Sequence, residues 1–159
     1  MNFRLPLPGA VALLALIAFP CESREFAVVA HPGVEAAELG FSDFKKIMLG
    51  DRQFWPSGQK VVLIVRAPVA EARTLLLERV FEMTEAQYRQ YWIAKVFRAE
   101  ATSEPRIVLS SGEVLELVGL MPGSVSVVAA EDVPAGLKVI KIDGLLPGEE
   151  GYPLVTDEP

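Results

Sequence analysis

Few residues in this sequence are of types that do chemistry alone, and their scarcity narrows the reading. His31 is the single histidine and Cys21 the single cysteine. His31 directly follows an apolar run, at a place where open α/β sheets bind ligands. It has no partners in the pattern, however. No HxH, HExxH or clustered Asp motif occurs, so no metal ligand set is expected. Serine catalysis lacks a GxSxG elbow, and its only base would be His31. No GxxxxGK[ST] or GxGxxG loop is present to cradle a nucleotide, so no cofactor is expected either. The paired acids Glu131-Asp132 and Glu149-Glu150 fall in loop sequence and read as solvated charge. No catalytic residue emerges, and the sequence argues against an enzyme.

Anion binding is easier to support. A helix N-terminus offers unpaired N–H groups and the positive end of the helix dipole. Ser110-Ser111-Gly112 places two hydroxyls and a Cβ-free approach where a helix should begin, and Ser42 stands at another such start. Arg66, at the junction of a strand and a helix, would add a fixed bidentate charge. Plain capping by the serines and a surface charge at Arg66 remain open as the alternative. Trp55, Tyr91 and Trp92 could line a groove, but Tyr91 and Trp92 lie in a helical stripe and read as core.

The elements that must position these residues follow from periodicity and punctuation. Apolar runs at Glu25–Ala30, Lys60–Val65, Ser124–Val128 and Leu137–Ile142 predict strands, with a short one at Arg106–Leu109. A helix is expected over Phe41–Leu49, with Ser42 as N-cap and Gly50 at the C′ position. A second should start at Pro68 and run to about Glu82, with Val69, Ala72, Leu76, Leu77, Val80 and Phe81 as its stripe. Thr84-Glu-Ala-Gln87 fits a capping box opening a third helix, whose face carries Tyr88, Tyr91, Trp92 and Val96. Ser110-Ser-Gly-Glu113 fits another, opening a short helix with Val114, Leu117, Val118 and Met121 inward. Wholly apolar strands alternating with helices indicate an α/β fold, its sheet largely parallel or mixed and covered on both faces.

Composition bounds the function classes. The chain has 159 residues and a net charge of −6, which argues against nucleic-acid binding and against a basic membrane-surface binder. Much of its apolar excess sits at one end. Arg4 precedes the run Ala10–Phe19, which is too short to span a bilayer but fits the h-region of a secretory signal. Cys21-Glu22-Ser23 supplies small residues at −3 and −1, so residues 1–23 are expected to be removed after Ser23. A lipidated Cys21 fits less well, because Phe19-Pro20 precedes it. Cleavage would leave no cysteine and no stable membrane insertion, and would place the protein in the periplasm. It would remove one Arg and one Glu, so the charge would stay at −6. Residues 24–144 form the expected domain, and 145–159, with four acids and no base, read as a flexible tail.

Four stretches, in order, resemble the phosphate ABC-transporter substrate-binding proteins of the type II periplasmic-binding-protein superfamily. They are Phe41–Gly50 with Phe54-Trp-Pro-Ser-Gly58, Val61–Phe81, Tyr88–Phe97, and Ser110–Val128 with Lys138–Gly144. The resemblance covers residues 26 to 144 and implies a single lobe of a two-lobed clamshell. It implies an oxyanion such as phosphate as ligand and an envelope protein or ABC-transporter component as partner. Arg66 is the charged ligand it carries over. The hydroxyl-bearing loop the family has next is here Ala67-Pro-Val-Ala70, and Ser126-Val127 replaces its Gly-Tyr. An accessory protein that kept the fold and lost the ligand is the alternative that these departures raise.

Overall fold

The computed structural model describes residues 23–156. The expected signal segment, apart from Ser23, lies outside the described residues, as do 157–159 of the expected tail. The chain builds one seven-stranded mixed sheet between two helical layers. Strands β1 (Arg24–Ala30), β2 (Glu38–Leu39) and β3 (Val62–Arg66) come first, with α1 (Phe41–Met48) between β2 and β3. Next is α2 (Glu71–Leu75), which continues as a π-helical segment, Leu76–Phe81. Then come α3 (Glu85–Phe97), β4 (Arg106–Val108), α4 (Ser111–Leu120), β5 (Ser124–Ala129), β6 (Lys138–Ile142) and β7 (Val155–Thr156).

The strand order is β2-β6-β1-β5-β3-β4, with β7 added on β1. β1 is antiparallel to β5, β6 and β7, whereas β2–β6, β3–β5 and β3–β4 pair in parallel. Strands β2 to β6 therefore point the same way, and β1 starts at the edge where they end. Side chains alternate across the sheet. Phe26, Val28 and Ala30 of β1 enter one core with α1, α2 and α3, while Ala27 and Val29 enter a second core beneath α4. Both faces are covered, which is why β5 is buried at every position.

Several local expectations are revised. The N-cap of α1 is Gly40 rather than Ser42, because the Asp143 carboxylate comes in from the end of β6 and accepts the Phe41 N–H at 2.9 Å. Pro68 does not open α2. Val69 adopts φ 67°, so a turn closes from Ala70 N–H to Ala67 O and the helix starts at Glu71. Val69 is consequently 98% exposed instead of joining the stripe, whereas Ala72, Leu76, Leu77, Val80 and Phe81 are buried as expected. The Thr84–Gln87 capping box forms in both directions. At α4 only half of one forms: Ser110 Oγ accepts the Glu113 N–H at 3.1 Å, but the Glu113 carboxylate turns to the Leu109 N–H.

Residues 145–156 are not a loose tail. Leu154 is fully buried and its carbonyl accepts the Phe26 N–H, while Tyr152 Oη donates to Phe26 O at 2.8 Å. The two-residue strands β2 and β7 are too short to show a period in the sequence. Elsewhere a glycine is required by contact. Gly123 has φ 80°, and a Cβ there would sit 2.2 Å from Lys60 O.

Candidate functional site at the carboxyl edge of the sheet

Arg66 is the last residue of β3, and Ser111 is the first of α4, the helix that follows the neighbouring strand β4. Parallel pairing thus joins residues 45 apart in sequence. Alternation along β3 puts the Arg66 side chain on the α4 face, with Val62 and Ile64. There its Nη1 donates to Ser111 Oγ at 2.6 Å and its Nη2 to Leu109 O at 3.1 Å. The Arg66 Nε is buried without a partner. As the first two residues of the helix, Ser111 and Gly112 have no intrahelical acceptor for their N–H groups. Around Gly112 the space is open, since an added Cβ would meet only Ser110 Oγ at 4.0 Å. A half-buried guanidinium therefore stands beside two free amides at a helix N-terminus.

The structure brings Arg66, Ser110, Ser111 and Gly112 together but leaves Ser42 apart. Ser42 lies in the first turn of α1, beyond β2. Four strand spacings separate β2 from β3, roughly 19 Å at about 4.8 Å each. At the α1 terminus the Asp143 carboxylate already takes the Phe41 N–H. His31 lies at the opposite edge. Because β1 runs antiparallel, its end meets the start of β5, where the His31 N–H donates to Ser124 O. Its ring Nδ1 accepts the Gly33 N–H at 2.9 Å and closes a turn.

Sequence reasoning missed a second ionic feature at the same carboxyl edge. Arg24, at the start of β1, donates to Glu71 at the start of α2 and to Glu131 in the turn after β5. Its hydrogen bond to Glu131 leads the effects that raise its pKa. Glu71 thus puts a carboxylate at the first turn after Ala67–Ala70, where the resemblance would have placed anion-binding hydroxyls. Arg66 and the α4 terminus keep their donors clear of these carboxylates. Trp55 and Tyr91 prove structural: the Trp55 indole N–H donates to Gly123 O at 2.9 Å, and Tyr91 Oη to Leu49 O at 3.0 Å.

No family model matches the chain, and no curated protein matches it. Solved structures do. PstS from Borrelia burgdorferi superposes with a TM-score of 0.68 at 16% identity, over 85% of this chain and 55% of that one. An ABC-type phosphate transport receptor from Vibrio cholerae gives 0.67 at 14% identity, over 86% and 55%. A phosphate binding protein from Stenotrophomonas maltophilia gives 0.59 at 14%, over 80% and 41%. The chain has the fold of a periplasmic-binding-protein lobe. It spans about half the length of the phosphate-binding structures it resembles.

No three His, Cys, Asp or Glu side chains gather as a metal site among the described residues. No described helix is long and apolar enough to cross a membrane. Cavities also lie elsewhere among the described residues. One, of about 360 Å³, opens at the amino edge between Lys60, Trp92, Arg106 and Met121. Another, of about 230 Å³, lies between α3 and the strands β3 and β4.

Proposed function

We propose that the protein is an exported, non-catalytic solute-binding module that takes a small oxyanion such as phosphate at the Arg66 end of the sheet. The observation that carries this is the juxtaposition of the Arg66 guanidinium with the unpaired N–H groups of Ser111 and Gly112. A charged fork and a helix N-terminus favour the same tetrahedral anion. The phosphate-named proteins that share the fold support the ligand class. Donors come from one side only, so water stays on the other and the affinity is weak, with Kd of about 1 mM, roughly −4 kcal/mol. Titrating the purified protein with phosphate in a calorimeter should give saturable heat that Arg66→Ala removes. No heat at millimolar phosphate or sulfate overturns the reading.

One observation favours the alternative, an accessory protein acting through an envelope partner or transporter component. Val69, 98% exposed, and Leu109, 80% exposed, stand at the ends of adjacent strands on this same edge. Exposed apolar side chains beside a polar rim suit a protein contact. On this reading a crosslinked envelope protein persists with Arg66→Ala and is lost with Leu109→Lys.

A further inference from the structure

The cavity of about 360 Å³ lies at the amino edge of the sheet, away from the Arg66 end. Its apolar lining includes Val62, Leu63, Ala101, Pro105 and Met121. All five are only half-buried, so they keep surface for a guest. Trp92 closes the base behind them. Gly50, at φ 69°, lets that ring in, since a Cβ there would sit 2.6 Å from its Cη2. The segment 101–105 forms one wall and carries the exposed hydroxyls of Thr102 and Ser103. The Gln53 side chain, also in the lining, donates to Glu100 O and ties the facing loop to that wall.

The rim carries the charge. Arg52, Lys60 and Arg106 line the cavity, against one acid, Glu104. Arg52 is held by Asp43 at 3.1 Å. Lys60 and Arg106 are exposed, and neither has a carboxylate within ion-pair distance among the described residues. They stand at the heads of paired strands, Lys60 just before β3 and Arg106 at the start of β4. Arg106 Nη1 lies 3.5 Å from Met121 Sδ, which places the guanidinium against the lining. A thioether is a weak acceptor, so that fork keeps its donors for a stronger one. A protein of net charge −6 thus sets two unpaired cations beside an apolar hollow. Apolar walls with a few polar groups are the general form of a small-molecule site, and the volume falls within the usual range of about 300–1,000 Å³. The cations call for an anionic head, and the guanidinium fork suits an oxyanion. The walls call for an apolar body. Lys60 precedes Arg66 by six positions along the β3 direction, roughly 20 Å at about 3.3 Å each, so this site is separate from the oxyanion site.

We propose that this cavity binds a small amphipathic anion, its charged head between Lys60 and Arg106 and its apolar body against Val62, Leu63 and Met121. The test is a titration of the ¹⁵N-labelled protein with 2-naphthalenesulfonate, followed at the backbone amides. The Gly50 and Thr102 resonances should shift saturably in the millimolar range. Lys60→Gln and Arg106→Gln, both outside the core, should each weaken binding roughly two- to fivefold. The double variant should show no saturation, and added salt should weaken the wild type. Arg66→Ala should leave these shifts unchanged, which separates this site from the one at the carboxyl edge. Stationary Gly50 and Thr102 resonances overturn the proposal. So does equal affinity for the uncharged 2-naphthol, equal shifts with inorganic phosphate, unaltered affinity in the double variant, or loss of binding with Arg66→Ala.

Discussion

Three tyrosines and a lysine show what burial does to single residues here. Burial pushes the Tyr88 phenol up to about 12, with the Arg73 charge and the nearby Trp92 N–H acting the other way. Burial also raises Tyr152 and Tyr91. For Lys95, desolvation opposes the charge, but its bonds to Asp51 and Tyr91 outweigh that and raise its pKa. All four carry the same sign. A raised folded pKa means that the native state keeps protons which the unfolded chain releases near pH 10. The urea midpoint should therefore hold level to about pH 9 and fall as pH rises through 10 toward 12. Tyr88→Phe should make that fall shallower, and a midpoint still flat at pH 11 contradicts the assignment. Glu85 works oppositely: its hydrogen bond to Arg73 holds it low, so its contribution is lost only in acid. None of this was legible in the sequence. Arg73 and Thr74 stand between Ala72 and Leu75–Leu77, and periodicity sees only polar residues interrupting a stripe.

Among the elements, what the sequence shows depends on how far away the partner is. The α3 cap is written locally in Thr84 and Gln87, and it forms as read, at 3.2 Å and 2.8 Å. Thr84→Ala should cost about 1 kcal/mol in chemical denaturation. A loss near zero would mean that α3 is held by packing alone. The start of α1 is the opposite case, because the carboxylate that takes its first N–H belongs to Asp143, 102 residues further along the chain. Ser42 looked like the cap because no local rule can see a carboxylate arriving from another strand. The start of α2 was misread for a related reason. Pro68 suits a first helical position, yet the positive φ of Val69 interposes a turn, a conformation costly for a β-branched residue and invisible to propensity.

At the scale of the molecule, wholly apolar strands alternating with helices correctly indicated a sheet covered on both faces. Direction was another matter. Nothing in Glu25–Ala30 says that β1 runs against its neighbours, and that reversal sends His31 to the edge opposite Arg66. The union of Arg66 with Ser111 likewise depends on β3 and β4 being neighbours, which spacing does not reveal. The largest change concerns residues 145–156, whose acids and prolines suggested a tail while Tyr152 and Leu154 close the core. Leu154→Ala should cost about 2–5 kcal/mol in thermal or urea unfolding, where a loose tail would give almost nothing. The β1–β7 pairing behind that closure also has a mechanical meaning. It sets Arg24 beside Thr156, so the described chain enters and leaves the sheet at one point. A force applied between those two residues would part the antiparallel pair one bond at a time, from the open end inward. The lobe is thus built to peel at low load, whereas a shear across β1 and its neighbours would meet many bonds at once.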